Sequence, residues 1–230
     1  MKRLLGVTAW LMCIAFFMSY SLSYAQELKE IKLSAPQTDI GKPLMQVLKA
    51  RCSSREFSTE KIPLQVLSNM LWAANGINRP DSGKRTAPSS RNIQETDIYV
   101  ATEEGLFLYD AVQHILKTVL TEDIRALTGT QAFVKDAPLN LIYVADFSKM
   151  GDSPEDAKAV TSAYDTGFIS QNVYLFCASE GLGTVVRGLV DRKWLRLSRI
   201  RYGARGSIAW RRPHRRAFQC RTRRTSPSVC

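Results

Sequence analysis

A long helical pattern that follows a buried strand pattern is the feature that most constrains this fold. Residues 139–145 form an apolar run broken only by Asn140, which is typical of a central strand covered on both faces. Downstream, Pro154 opens a predicted helix and Gly181 closes it, with apolar residues over most of the circumference. Together they predict a sheet crossed by a long helix, which is the expected buried spine of the domain.

Two shorter helices are predicted in the first half of the chain. After an extended polar lead-in at residues 26–41, Pro43 occupies a first helical turn, where its missing N–H costs nothing, and the helix delivers Arg51 to its end. Pro63 opens the second helix and Gly76 closes it. Its apolar positions form one broad face, which predicts core packing: Leu64, Val66, Leu67, Met70, Leu71, Trp72 and Ala74.

The middle of the chain has the pattern of short strands. Residues 97–102 and 106–110 form a predicted hairpin with its turn at 103–105, and residues 114–120 extend the same meander. The remaining predictions are a loop at 78–91, a short helix from 121 to 129, and a strand and turn at 183–188.

A phosphate-binding pattern lies at the end of the first helix. The stretch 51–57 turns the guanidiniums of Arg51 and Arg55 and the hydroxyl of Ser53 in one direction. Planar guanidinium donors match the oxygens of a phosphate monoester, and neutral hydroxyl donors fit between them. A solvated helix end explains the same residues equally well.

A polar loop at residues 88–94 carries an amide pair just before a predicted strand. Asn92 and Gln94 could hydrogen-bond the edge of a heterocycle. We therefore hypothesise one flavin held at two ends, with its phosphate at residues 51–55 and its ring at this loop. A plain surface loop is the open alternative.

The net charge of +11 is concentrated in the last part of the chain. Residues 193–230 carry +12 without a single acidic side chain, so residues 1–192 carry a net charge of −1. No basic field over the body steers it toward nucleic acid. We predict residues 26–192 as the domain and residues 193–230 as a disordered or non-native Arg-rich tail.

The first 25 residues have the pattern of a secretory signal peptide. Lys2 and Arg3 precede a short apolar run, and small residues precede a cleavage position after Ala25. An exported, periplasmic or extracellular protein is therefore expected, and an uncleaved anchor is the alternative. Cys52 and Cys177 are interpreted as a small residue near a site and a buried helix residue, because five sparse cysteines are not a disulfide framework.

Four motifs in order resemble the nitroreductase family of flavin-dependent oxidoreductases. They are Arg51-x-Ser53-x-Arg55-x-Phe57, residues 88–94, residues 165–172 and residues 181–188. The resemblance covers roughly residues 45 to 192. The hairpin at 105–116, which includes His114, is more similar to the branch that contains the azoline-oxidising dehydrogenases of peptide biosynthesis.

The resemblance implies an α+β fold, with a mixed sheet flanked by helices, and a homodimer that binds FMN at the subunit interface. NADH, NADPH or the substrate itself would reduce the flavin, which passes a hydride from N5 to a nitro, quinone or azoline acceptor. The flavin carries this chemistry, so no catalytic side chain or metal is expected. The resemblance assigns the backbone from Val186 through Arg187 to Gly188 to the flavin ring, with Gln171 and Asn172 as weaker candidates.

The tail departs from the family pattern, because the expected closing strand and its basic residue are not recognisable after Arg192. The abrupt change of composition is what a shifted reading frame would produce. The final strand is then missing or altered, and FMN binding and dimerisation are put in doubt. The alternative functions are anionic-surface or nucleic-acid binding by the tail, in which aromatics alternate with Arg, or an inactive relative that no longer holds FMN.

Other catalytic classes are poorly supplied by this sequence. His114 and His214 are its only histidines, which is too few for a zinc site of several histidines. A Ser-His-Asp triad would depend on His114 alone. There is no Walker loop, and the glycines from Gly181 do not make a dinucleotide fingerprint.

Overall fold

The computed structural model describes residues 29–58 and 60–189, and the backbone alone of residues 216–222. The three helices are α1 (Leu44–Ala50), α2 (Leu64–Asn75) and α3 (Glu155–Glu180). The strands are β1 (Ile31–Lys32), β2 (Ile77–Arg79), β3 (Lys84–Arg85), β4 (Thr96–Thr102), β5 (Gly105–Asp110), β6 (Ile115–Leu120), β7 (Asn140–Ala145), β8 (Leu182–Arg187) and β9 (Arg216–Thr222). Short 3₁₀ turns lie between them.

Seven of these strands form one sheet in the order β1-β6-β5-β4-β7-β9-β8. The α+β prediction is confirmed, as are the hairpin of β4 and β5 and its extension by β6. The resemblance implies a mixed sheet, whereas every strand pair described here is antiparallel. The strand predicted at 139–145 is central, and all of its residues from Asn140 to Ala145 are buried.

Prolines start all three helices, as the sequence predicts. Pro43, Pro63 and Pro154 each occupy the N-cap position with extended backbone angles, because the ring fixes φ and the cap needs no N–H donor there. Gly181 ends α3 in the left-handed region at φ +71°, where a residue with a Cβ would be strained.

The sheet is covered on both faces. On one face, α2 and α3 bury a large cluster that includes Leu71, Val100, Leu141 and Val173. On the other face, Tyr99, Leu106, Leu108 and Ile142 pack with Ile124 of the segment between β6 and β7. Because side chains alternate along each strand, neighbouring residues of β7 and β8 point to different faces.

Three predictions about these elements need correction. The helix predicted from 121 to 129 is reduced to a single 3₁₀ turn at Arg125–Leu127. The loop predicted at 78–91 contains part of a small hairpin formed by β2 and β3. The spine helix α3 is buried on one side only, and its other side exposes Val160, Tyr164 and Phe168.

The polar residues on the buried side of α3 explain that difference. Ser162, Asp165, Thr166 and Ser170 share this side with Ile169, Val173 and Cys177. Ser162 and Asp165 are hydrogen-bonded there, so polar residues share the buried side with apolar ones while some apolar residues of α3 face outward.

The backbone of the Arg-rich tail enters the sheet. Strand β9 lies between β7 and β8 and pairs antiparallel with both, from Asn140↔Gln219 to Tyr143↔Arg216 on one side. The expectation that no strand follows Arg192 is therefore corrected. A strand needs only backbone N–H and C=O groups at the right spacing, and two open edges offer them here.

The predicted signal segment, residues 1–25, lies outside the described residues, as does the tail apart from the β9 backbone. Within the part of the chain that the structure describes, no helix is both long enough and apolar enough to cross a bilayer.

Candidate functional site

Arg51 and Ser53, two of the residues predicted to bind phosphate, both contact Tyr174 of α3. The guanidinium carbon of Arg51 lies 5.3 Å from the centroid of the Tyr174 ring, which is a cation–π geometry. The Ser53 hydroxyl lies 2.8 Å from the Tyr174 hydroxyl. The backbone N–H of Val186 donates to the same Tyr174 oxygen at 2.9 Å. Residues from three parts of the chain therefore meet at one side chain.

The hydroxyl pair can leave one proton for a ligand. Tyr174 accepts from Val186, so it can donate its own proton to Ser53. Ser53 is exposed, and its hydroxyl proton then points to neither partner. The Ser54 N–H donates to the Thr184 carbonyl at 3.0 Å, which ties this segment to β8, and the side chain of Arg55 is exposed.

The second predicted segment has a strained backbone. Arg91, Asn92 and Gln94 have φ values of 51°, 56° and 54°, a region that side chains other than glycine rarely adopt. Such strain persists only where the surroundings enforce it, and it is concentrated at functional sites.

Hydrogen bonds of Gln94 enforce this loop shape. Its amide oxygen accepts from Arg85 Nε at 2.7 Å. Its amide nitrogen donates to the Gly83 carbonyl at 3.0 Å and to Asn92 Oδ1 at 3.1 Å. Both amide hydrogens of Gln94 are therefore used inside the protein, and Asn92 is the exposed amide of the pair.

Helix α3 connects the two segments. The Ser90 N–H donates to Asp165 Oδ2 at 2.9 Å, whereas Ser53 contacts Tyr174, nine residues further along α3. That spacing is about 13.5 Å along a helix axis. Nine residues are also about two and a half helical turns, so the two segments contact opposite sides of α3.

Two cavities lie away from these residues. One of about 250 Å³ is lined by residues including Ile62, Phe107 and Leu139. The other, of about 410 Å³, is lined by residues including Trp72, Asn172 and Phe176. Neither contains a residue of the two predicted segments, so the segments are joined by α3 and not by either of these clefts. Of the weaker candidates, Asn172 lines the larger cavity and Gln171 is exposed.

The side chain of Arg187 faces the opposite side of the sheet from Tyr174. It is 3% exposed, and its Nη2 donates to Asn140 Oδ1 at 3.2 Å. No described residue pairs with its Nε or Nη1, and burial lowers the pKa of Arg187 to about 10. Of the predicted turn, Val186 therefore joins the Tyr174 cluster through its backbone, Gly188 is exposed, and the Arg187 guanidinium lies elsewhere.

A buried polar network around His114 lies outside both segments. Ser68 Oγ, on α2, lies 2.7 Å from His114 Nε2 and contacts the Ser34 carbonyl at 2.5 Å. The Tyr109 hydroxyl lies 3.0 Å from His114 Nδ1. Since Ser68 donates to Ser34, the consistent assignment is that Nε2 carries the imidazole proton and Nδ1 accepts from Tyr109. Ser68 is fully buried, so this arrangement holds the fold together and is not a hydrolytic site.

We expect this network to make stability depend on pH. Burial lowers the pKa of His114, opposed by the Ser34 carbonyl, so the unfolded state binds a proton first as pH falls below about 6.5. The free energy of unfolding should then fall with decreasing pH, by up to about 1.4 kcal/mol per pH unit. Urea unfolding of the parent and of His114→Asn, which tolerates the φ of 53° at this position, measures the difference in slope. Identical slopes would contradict the assignment.

The comparisons with known proteins agree with this architecture. The sequence profile of the Nitroreductase family matches residues 48–200. A protein of Methanocaldococcus jannaschii named as a nitroreductase is 33% identical over 155 residues, which are 63% of this chain and 78% of that protein. A crystal structure from Ralstonia eutropha, also named as a nitroreductase, has a TM-score of 0.75 and 36% identity, and the match covers 88% of this chain and 93% of that one.

A more distant solved structure has the same fold. A protein of Desulfovibrio desulfuricans named as a nitroreductase, in complex with FMN, has a TM-score of 0.52 and 19% identity over 82% of this chain and 92% of that one. The fold and these matches define an oxidoreductase of the α+β class. The chain belongs to the nitroreductase family.

Tyr174 and Asp165 are the residues of the candidate site to which the sequence analysis gave no role. Each is a hydrogen-bond partner of one of the two predicted segments. Both lie within the helical pattern, where a tyrosine and an acid are ordinary residues. The resemblance covers residues 165–172, but it gives no partner for Asp165. No local signal would have revealed that Tyr174 meets Ser53, because their contact is 121 positions apart in the chain.

Proposed function

We propose that this chain is an FMN-dependent oxidoreductase that transfers a hydride between a nicotinamide or organic donor and a small-molecule acceptor. Nitro, quinone or azoline compounds are the proposed acceptors, NADH or NADPH the donor, and flavin N5 the transfer atom. The observation that supports it most is the convergence of Arg51, Ser53 and Val186 on Tyr174, on the same helix that anchors the 90–94 loop.

The donor set at Tyr174 fits the phosphate end of FMN. Arg51 supplies a positive charge, and Ser53 supplies a neutral donor whose oxygen is already bonded to Tyr174. Arg55 is exposed two residues beyond Ser53, and we propose that it supplies a second charge. Charge-assisted hydrogen bonds of this kind are the strong ones in proteins. The Tyr174 ring holds Arg51 in place before any ligand arrives, which lowers the entropy cost of binding.

The strained loop fits the ring end. Gln94 fixes the loop through Arg85 and Gly83, so the exposed Asn92 is the residue that would hydrogen-bond the pyrimidine edge. Gly188 is exposed, and no atom of the described residues lies within 4 Å of the position of a Cβ there, so we propose that a planar ring approaches this backbone closely.

When bound, FMN would supply the two-electron chemistry itself. The side chains named above bind and orient, and none of them is assigned a catalytic proton transfer. Binding at two ends separated along α3 fixes the ring plane relative to the sheet. A fixed ring is what lets a donor and an acceptor reach the same atom in turn.

We propose that a homodimer completes the site. Val160, Tyr164 and Phe168 lie at intervals of four on α3, which places them on one exposed stripe. A second copy covering this stripe would bury apolar surface and enclose a ligand lying along the same helix.

We also propose that the protein is exported and that it belongs to the azoline-oxidising branch. The hairpin of β5 and β6 with its His114 supports the second of these proposals.

Spectroscopy of the purified full-length chain tests the proposal. Added FMN should lose fluorescence on binding and should then be reduced by NADH or NADPH and reoxidised by a quinone or nitro compound. Light scattering with and without FMN should report a dimer. A chain that neither binds FMN nor turns over would support the inactive relative, and one that instead binds DNA with a steep salt dependence would support the tail-binding alternative.

A further inference from the structure

Two acidic side chains are buried against each other behind the strained loop. Glu95 directly follows Gln94 in the chain and is 0% exposed. Asp165, on α3, is 4% exposed. Glu95 lies close enough to Asp165 that, besides burial, the charge of Asp165 and a side-chain hydrogen bond to it raise the pKa of Glu95. Asp165 Oδ2 also accepts a hydrogen bond from the Ser90 N–H at 2.9 Å. The pair therefore contacts the loop at its start, Ser90, and at its end, next to Gln94.

One oxygen of this pair has no donor. Glu95 Oε1 accepts from the Thr96 hydroxyl at 3.4 Å, but Glu95 Oε2 is buried without a hydrogen-bond partner among the described residues. Two ionised carboxylates offer only acceptors to each other, so their contact cannot satisfy Oε2. A proton between them can, because a protonated carboxyl donates one hydrogen bond.

No described residue supplies a cation that forms a salt bridge with the pair. Of the charged groups nearby, Lys149 Nζ contacts Asp97 at 3.4 Å and the Gln94 carbonyl at 3.5 Å, and Arg85 binds the Gln94 side chain. Burial raises the pKa of Glu95, and the charge of Asp165 raises it further against a hydrogen bond from the Glu95 backbone N–H.

We propose that Glu95 and Asp165 hold one proton between them and that this shared proton positions the loop of residues 90–94. Glu95 is thus a positioning residue, since it acts through the loop. The shared proton is present whether or not a ligand is bound. Its effect on binding of the FMN ring depends on the proposed function.

The shared proton explains how the strained loop is kept. Arg91, Asn92 and Gln94 all have positive φ, which costs free energy that neighbouring contacts must offset. With the proton in place, Glu95 and Asp165 attract each other and clamp the loop ends. Without it, two adjacent carboxylates repel in a poorly solvated place, and the loop is free to relax.

Infrared spectroscopy of the full-length chain tests the shared proton directly. At neutral pH the parent should show the carbonyl stretch of a protonated carboxylic acid. Glu95→Gln should remove that band, and the matched control Glu122→Gln, at an exposed glutamate, should retain it. A parent without the band, or a band unchanged in Glu95→Gln, would overturn the proposal.

The pH dependence of unfolding gives a second measurement. Above about pH 7.5, where His114 is neutral in both states, the folded state keeps a proton that the unfolded state has lost, so stability should fall as pH rises, by up to tenfold in the unfolding constant per pH unit, about 1.4 kcal/mol. Glu95→Gln should flatten this slope, since an amide donates to Asp165 at any pH. Should that variant not fold, Asp165→Asn serves instead, because its amide can donate to Glu95 while its oxygen accepts from Ser90. Equal slopes in the parent and the folded variant would overturn the proposal.

FMN titrations separate this inference from the proposed function. The parent should bind FMN roughly tenfold more weakly once rising pH has removed the shared proton. Glu95→Gln should show only the change caused by ionisation of the FMN phosphate, whose second pKa is about 6. If no variant binds FMN at any pH while the infrared band behaves as expected, the proposed function fails and the shared proton stands. FMN binding that weakens equally in parent and variant would contradict the positioning role.

Discussion

Replacing Arg187 by methionine is expected to raise the free energy of unfolding of the cofactor-free protein by about 1–4 kcal/mol. The guanidinium is 3% exposed and keeps one hydrogen bond, to Asn140, while Nε and Nη1 have no partner among the described residues. A buried charge without an acidic partner loses its hydration and gains little in return. Methionine has a similar length and fills the same space without charge. Urea unfolding measures the change.

Arg55→Met is the matched control, because Arg55 is exposed and its replacement should change stability by less than about 0.5 kcal/mol. A loss of stability in Arg187→Met would mean that a group outside the described residues pairs with the guanidinium. Gly129 offers an internal check. A Cβ there would clash with Arg187 Nη1, so Gly129→Ala should cost about 1–3 kcal/mol in the parent and less when it is combined with Arg187→Met.

Removing the two cationic side chains predicted to bind phosphate is expected to weaken FMN binding by about 1.5–3 kcal/mol for each of Arg51→Ala and Arg55→Ala. Combined, the two replacements should cost about 3–6 kcal/mol if their effects add. Charge-assisted bonds to a phosphate dominate the expected loss, and Arg51 also loses its contact with the Tyr174 ring. Quenching of FMN fluorescence on titration gives the dissociation constants.

Lys49→Ala is the control for a general charge effect. Lys49 is an exposed cation in the last turn of α1, close in sequence to Arg51 but not part of the Tyr174 cluster. It should leave FMN affinity within a factor of about two, because exposed charges are screened by salt. Affinities that are equal in the parent, Arg51→Ala and Arg55→Ala would reject the phosphate assignment.

The fold elements were predictable where their signals are local. Proline at a helix start and the apolar run before Ala145 report steric and burial constraints that hold for any neighbours. Where a signal was missing, the prediction was wrong. Helix α3 was predicted to be buried over most of its circumference, but the apolar residues Val160, Tyr164 and Phe168 are exposed while Asp165 is buried.

The two predicted site segments could be found in the sequence, because guanidiniums, hydroxyls and amides at fixed spacing indicate which ligand groups they can bind. The structure adds that Gln94 donates its amide hydrogens to Gly83 and Asn92, and that the Arg187 side chain faces away from Tyr174. Both facts depend on which partners the folded chain brings near, and a one-residue change of strand register would reverse the second.

The sequence by itself determined the helices, the central strands, the neutral body with its basic tail, and the two polar segments. Each of these follows from side-chain chemistry and from periodicities of two or 3.6 residues along a short stretch. Only the tertiary structure decided that Ser53 meets Tyr174, that Glu95 meets Asp165 and that β9 enters the sheet. Such contacts join residues far apart in the chain, and the packing of the whole domain selects them.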